Sequence, residues 1–300
     1  MPERSGIFLS MNKLSTDRRA ALVSALVEGN SIRATARMTD TAFNTVLKFV
    51  VDIGTVCRAY LDEHMRDLDC RRLQADEIWQ FCYAKDRNLP PTMRRDQVLG
   101  CSSPNLVGSV WTWVAIDAET KLVPSFHVGT RDAGCACEFM HDLAGRLRHR
   151  VQLTTDGHRA YLVAVAQAFE DEIDYAMLVK LYGANPDPDG RYSPPKCVGA
   201  RKEVQWGEPE DAHISTSYAE RQNLTMRMGM RRFTRLTDGF SKKCENLEHA
   251  LALHYMHYNF VRIHKTLRCT PAMEAGISDR LWTVRDIASL LERTEAQSAA

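Results

Sequence analysis

An α/β domain preceded by a small all-helical module is the fold class predicted for these 300 residues, and three observations predict it. Helical periodicity with Ser, Thr and Gly punctuation fills residues 12 to 56. From residue 73 on, runs rich in Ile, Val, Trp and Phe follow the order strand, strand, strand, helix, strand, as in a mixed sheet flanked by helices. Hydrophobic residues make up 44% of the chain, enough for a buried core in one large domain plus a small one.

Lys plus Arg (39) nearly balance Asp plus Glu (38), so the net charge of +1 does not advertise a polyanionic partner and any DNA footprint must be local. The nine cysteines include no Cys-x-x-Cys pair, and Cys135-x-Cys137 is too close for an ordinary zinc half-site, so they read as reduced, mostly buried thiols. No signal-peptide pattern opens the chain, and no apolar run approaches the ~20 residues of a membrane helix. The compartment expected is the cytoplasm, in association with the nucleoid.

In the N-terminal module, Ser15 or Thr16 caps a helix through about Glu28, Gly29-Asn30 stops it, and Ser31 caps a second from Ile32 to Met38. Thr39-Asp40 turns the chain into a third helix, Thr41 to about Ile53. Phe43, Val46, Leu47 and Val50 form its apolar stripe and Asn44, Thr45 and Lys48 its polar face. Short helix, tight turn and polar-faced helix is the helix-turn-helix pattern, in which the last helix enters the major groove; an ordinary trihelical packing module shares it. Residues 1 to 60 hold eight basic against five acidic residues, a mild bias toward DNA. The amphipathic stretch from Val56 to Arg72 reads as a helical connector.

Leu73 to Tyr83 is the first strand, with Asp76 interrupting its apolar character. A half-buried carboxylate needs a partner, and an ion pair with Arg71 or Arg72 competes with metal ligation. Glu77 points to the opposite face of a regular strand and is not counted as a ligand. Residues 84 to 108 read as a long loop. Strands at Val110 to Ile116 and Lys121 to Val128 flank a polar turn, and Ala133 to Arg148 reads as a helix. Asp156 ends the strand from Val151 just before Gly157 and a helix from about Arg159 to Phe169. Asp-Gly is also a common turn pair, but the end of a strand before a helix is where ligands meet open α/β sheets.

Residues 183 to 211 are loop-like, interrupted by a short strand from Val198 to Trp206. Helical pattern resumes at about Ser215 and runs toward Arg235. Ser217 to Glu220 has capping-box spacing, whereas a cap at Ser215 frees Glu220 in the second turn, in one row with Asn223 and Arg227. From Arg221 to Lys243 seven basic residues (Arg221, Arg227, Arg231, Arg232, Arg235, Lys242, Lys243) face one acid, Asp238. Such a surplus is either a solvated helix face or a phosphate-binding one. Ser241 to Arg262 forms a helix with Leu247, Leu251, Tyr255 and Tyr258 as its core stripe. His254, His257 and His264 read as polar-face or phosphate-contacting residues rather than a zinc site. A last amphipathic helix spans Val284 to Leu291. Carboxylates such as Asp76, Asp156 and Glu220, on adjoining strands and a covering helix, suit hard divalent cations and phosphoryl transfer on nucleic acid.

Four stretches carry a resemblance: Ala75 to Trp79, Thr155 to Tyr161, Ala219 to Thr225 and Tyr258 to Lys265, with a basic residue, Arg227, seven positions after Glu220. Over about residues 70 to 277 the chain resembles bacterial insertion-sequence transposases of the insertion-sequence-one group. The founding element's zinc finger has no counterpart here. The resemblance implies an RNase H-like mixed sheet over residues 73–277, after the helix-turn-helix module (1–60, with a disordered start) and connector (61–72), and before a C-terminal helix and tail (278–300). It implies a DNA transposase whose Asp76, Asp156 and Glu220 hold two Mg²⁺ ions, replaceable by Mn²⁺, to cut element ends and transfer strands into target DNA. Expected DNA contacts are Asn44, Thr45, Lys48, Asn223, Arg227, Arg231, Arg232, Arg235, Lys242 and Lys243, in a homo-oligomer assembled on double-stranded DNA. A non-catalytic regulator or inactive remnant, and a structure-selective nuclease, are the alternatives.

Overall fold

The computed structural model describes residues 13–94, 106–183 and 197–298. The chain's first residues, the middle of each long loop and the last two residues lie outside the described residues. Helices α1 (Thr16–Val27), α2 (Ile32–Met38) and α3 (Phe43–His64) come first. Strand β1 (Arg72–Cys82) and the short α4 (Pro91–Arg94) precede β2 (Gly108–Asp117), β3 (Phe126–Gly129), α5 (Ala133–Ala144), β4 (Val151–Asp156), α6 (Ala160–Phe169), β5 (Ile173–Tyr182) and β6 (Cys197–Trp206). Four helices close the chain: α7 (Ser217–Gly229), α8 (Cys244–Phe260), the short α9 (Pro271–Glu274) and α10 (Val284–Ser298).

The strands form one sheet in the order β3-β2-β1-β4-β5-β6, with β1, β2 and β3 an antiparallel meander and β4 and β5 parallel to β1. This is the RNase H-like mixed sheet flanked by helices. Parallel neighbours require helical crossovers, and α5 and α6 supply them. No helix among the described residues is long and apolar enough to cross a membrane.

Ser15 and Ser31 cap α1 and α2 as their sequence predicts, each accepting a backbone N–H. The turn after α2 holds Asp40 at φ 46°. The third helix does not stop near Ile53. It runs on to His64, so the expected connector is half helix, and the boundary drawn at residue 60 falls inside α3. Its buried stripe is Val46, Phe49, Val50 and Ile53, whereas Phe43 is exposed beside Arg33. The extension packs on α8, which is apolar nearly all round and buried over most of its length. Gly54 sits at the crossing, where an added Cβ would lie 2.6 Å from the Cα of His249. The amphipathic α10 folds back on α1, burying Ile287, Ala288 and Leu291, and Arg19 reaches Glu295 at 2.9 Å. One continuous hydrophobic cluster thus runs from α1 to α10.

Other departures have local causes. The strand expected over Lys121 to Val128 begins only at Phe126, because Val123 gives both backbone groups to the buried Asn259 side chain, at 3.1 and 2.9 Å. Helix α5 ends at Ala144 rather than Arg148. Arg146 is drawn into the interior by Asp142 (2.8 Å) and Asp62 (2.6 Å), and Leu147 bridges Leu68. Strand β5 carried no assignment from sequence. Cys57, Cys70, Cys82, Cys135 and Cys244 are buried, whereas Cys197 is exposed and Cys101 lies outside the described residues.

Alanine is the better helix former, yet Gly54→Ala should destabilise the protein by about 1–3 kcal/mol by forcing α3 off α8. The exposed neighbour Thr55→Ala should stay within about 0.5 kcal/mol of wild type. Urea unfolding of the two variants checks this; equal midpoints would deny that the close approach matters.

Candidate metal centre

Strand pairing brings the first two carboxylates together. Arg72, Leu73 and Gln74 of β1 pair with Gln152, Leu153 and Thr154 of parallel β4, and the same register carries Asp76 opposite Asp156 just where β4 ends. One oxygen from each of Asp76, Glu77 and Asp156 lies within 4.8 Å of the others. Asp76 accepts from the Glu77 backbone N–H (2.9 Å) and from Asn223 Nδ2 (2.8 Å), and Asp156 accepts from the His158 N–H (2.9 Å). The alternative partner Arg72 is taken up by Glu119 at 2.8 Å.

Glu77 is a correction to the strand-alternation argument. It does leave β1 on the opposite face, but its carboxylate is buried beside the end of β4. It accepts from Arg131 Nε (2.6 Å) and the Tyr161 hydroxyl (2.9 Å). Arg131, just before α5, also faces Asp156 at 3.9 Å. A buried acid in an apolar strand was the available signal for Glu77; nothing in the sequence pointed to Arg131.

Helix α7 is fixed against β1 by Gln74, whose buried Oε1 accepts from the N–H groups of Tyr218 (2.7 Å) and Ala219 (3.3 Å). These are orphan donors of a helix start whose N-cap, Thr216, makes no side-chain cap bond. With Thr216 as N-cap, Glu220 stands in the first turn and closes no capping box with Ser217. Thr216 Oγ1 donates to it at 2.5 Å, and Lys180 of β5 pairs with it at 2.5 Å. Glu220 is outside the closest group of three, yet it lines the same open cleft of about 510 Å³ with Asp76, Asp156, Arg131 and Lys180. Asn223 is buried and committed to Asp76, and half-buried Arg227 feels the Asp76 charge.

Burial, then the charges of Glu77 and Asp156, push the Asp76 carboxyl up to about 7. Glu77 is raised by burial and Asp156, with Arg131 opposing. The donor set is all oxygen, half-buried and mutually repulsive, which fits a hard divalent cation.

The remaining predicted residues scatter. Asn44, Thr45 and Lys48 are exposed on the first turns of α3, with Lys48 paired to Asp52 at 2.5 Å. Arg231, Arg235, Lys242 and Lys243 are exposed. The helix expected to reach Arg235 stops at Gly229, and the following turn folds Arg232 inward. It donates to Ser241 Oγ at 2.8 Å, and burial lowers it to about 10. His254 is no polar-face residue: it lies in the core with both ring nitrogens unpartnered among the described residues, and burial lowers it to about 3. Burial also lowers His257, to about 4.

A raised carboxyl makes the folded state hold a proton that the unfolded chain has released between pH 3.8 and about 7, so stability falls as pH rises through that window. Asp76→Asn should therefore be more stable than wild type at pH 8, by on the order of 1–3 kcal/mol, with the advantage vanishing near pH 4. Urea melts at the two pH values test it; an Asn variant less stable at pH 8 contradicts the crowding.

No family description and no curated protein matches the chain. Among solved structures it is similar to Mos1 transposase in a paired-end complex with the left transposon end, at 15% identity and a TM-score of 0.22 over 58% of this chain and 61% of that one. It is also similar to piggyBac transposase in a synaptic complex with hairpin DNA, at 11% identity and a TM-score of 0.36 over 99% of this chain and 74% of that one. The chain spans 61% of the Mos1 chain it matches. TM-scores this low set no fold by themselves; the fold assignment rests on sheet order and register.

Proposed function

We propose that the chain is a DNA transposase of the insertion-sequence-one group, cutting element ends and joining them to target DNA with divalent metal. The observation that carries this reading is the placement of Asp76, within β1, beside Asp156 at the end of parallel β4, with Glu77 in one metal-site span and Glu220 in the same cleft. The four sequence stretches that resemble the group include all of these residues.

Asp76 and Asp156 hold the metal in this reading, Mg²⁺ or Mn²⁺, with Glu220 or Glu77 completing the set. A bound divalent ion supplies Lewis-acid stabilisation of charge on the transferring phosphoryl group. The chain does the rest by preorganisation. Asn223 and the Glu77 N–H fix both oxygens of Asp76, and the His158 N–H fixes Asp156. Lys180 holds Glu220 at the cleft wall, and Arg131 and Arg227 add positive charge where phosphate would approach. Exposed Arg231, Arg235, Lys242 and Lys243 serve as backbone contacts, while Arg232 and Asn223 have structural partners. Joining two ends calls for a homo-oligomer on DNA. The place of action is the bacterial cytoplasm.

End recognition is assigned to the exposed start of α3. The first residues of such a helix contact base edges, and Asn44 suits adenine. Because Val46, Phe49 and Ile53 belong to the shared core, point substitution is the proper test rather than deletion of the module.

Asp156→Asn should abolish Mg²⁺-dependent cleavage of end-containing DNA while binding persists, and Mg²⁺ should raise the melting temperature of the wild type but not of this variant. A mutant that still cuts refutes the catalytic assignment. A wild type that binds ends without cutting them would point to a regulator. Asn44→Ala should weaken binding to the element's ends by roughly 1–3 kcal/mol and leave random-sequence binding unchanged. Competition gel shifts decide between that and specificity lodged in the sheet domain.

A further inference from the structure

Beyond the cleft the sheet is lopsided. The β1–β4 ladder ends at Gln74 and Thr154, but β1 continues, paired with β2, through Trp79 opposite Trp111 and Phe81 opposite Ser109 to Cys82, which lies opposite Gly108 and bridges Ser241 on its other side. Directly opposed residues share a face, so Glu77, Trp79 and Phe81 stand in one row. At the Glu77 level this face is covered: Trp113 packs on Phe139 of α5 and Tyr161 of α6. Past that level the described residues cover it less completely. Trp79 on the strand is 42% exposed, and Tyr83 just past its end is 38% exposed.

The row has a second property that a bare apolar face lacks. Each step carries a cation over a ring: Arg131 lies 4.7 Å from the Trp111 centroid, Lys85 5.8 Å from Phe81, and Lys242 4.9 Å from Phe240 and 6.0 Å from Tyr83. Phe81 and Phe240 rings meet at 4.6 Å, joining the strand to the loop before α8. Nearby acids are engaged. Asp86 accepts the Ser109 N–H at 2.8 Å, and Glu77 is held by Arg131. Tyr83 is set at φ 67°, a left-handed backbone that a residue with a side chain rarely adopts, while its N–H donates to Ser241 O at 2.9 Å.

Aromatic faces interleaved with positive charge match unpaired nucleotides: bases stack on the rings and phosphates meet the cations. We infer that this β1–β2 arm, from Trp79 and Trp111 to Tyr83 and Phe240, is a track for single-stranded DNA leading from the carboxylate cleft. The inference rests on the nucleic-acid reading above and names the state of the strand beside the cut. A duplex would cover its base faces with its own stacking and gain nothing from the rings.

The test is fluorescence anisotropy of the full chain with labelled oligo(dT) of about 12 nucleotides, without divalent cation, beside a duplex of equal length. Trp79→Ala and Tyr83→Ala should each weaken oligo(dT) binding by about tenfold, with Trp79→Phe close to wild type, and should change duplex binding less than about twofold. Lys242→Ala should flatten the salt dependence by about 0.7 in the log–log slope. Oligo(dT) affinity unchanged in both alanine variants, or lost equally for oligo(dT) and duplex, overturns the track. Because no metal is present, the two proposals separate: a protein that binds oligo(dT) through Trp79 but never cuts refutes the transposase reading alone, and one that cuts without this dependence refutes the track alone.

Discussion

Carboxylates crowded together out of water repel one another and must each be held by a donor; this constraint shapes the surroundings of the cleft. Four surrounding segments each contribute one answer. The β3–α5 junction supplies Arg131, α6 supplies Tyr161, α7 supplies Asn223 and β5 supplies Lys180. The answers differ in kind. Glu77 and Glu220 receive cations, whereas Asp76 receives only the neutral donors Asn223 and a backbone N–H. Asp76 is therefore left with the strongest reason to attract a proton or a metal.

The same cleft depends on packing far from it. Helix α8 is buried on nearly every side, and α3 approaches it at Gly54 closely enough to exclude a Cβ. This contact, with α10 folded onto α1, joins the N-terminal helices to the sheet domain through one core. The exposed first turn of α3 is thereby held in a fixed relation to the carboxylates. Domains joined by a linker and a small interface move relative to one another by default; a shared core removes that freedom.

Local patterns made much of this legible. Serine caps, the Gly29 stop and the apolar periodicity located α1 and α2, the break in an apolar run singled out Asp76, and the end of a strand singled out Asp156, because these features depend on residues within a few positions. What sequence reasoning missed depends on distant partners. The start of β3 is set by Asn259, the end of α5 by Asp62, and the inward turn of Arg232 by Ser241. Glu77 was set aside because alternation sends it to the other face. That rule holds along the strand but does not say that both faces meet where β4 ends. Burial of His254 reflects α8 being enclosed all round, which a stripe of four residues does not reveal.

Alternation along β1 then explains how one strand serves two purposes. Gln74 and Asp76 face α7, where Gln74 anchors the helix start and so brings Asn223 to Asp76 and Glu220 into the cleft. Glu77, Trp79 and Phe81 face the other side, first under α5 and α6, then exposed at Trp79 and half-buried against Phe240 at Phe81. A slip of one residue against β2 would exchange the two sets and bury Trp79 against the helix that Gln74 now anchors. Buried pairs such as Ala75 with Ala115 and Ile78 with Thr112 lock that register. The packing of these buried pairs between the helices is thus what keeps the carboxylates on the cleft and the aromatic row beyond it.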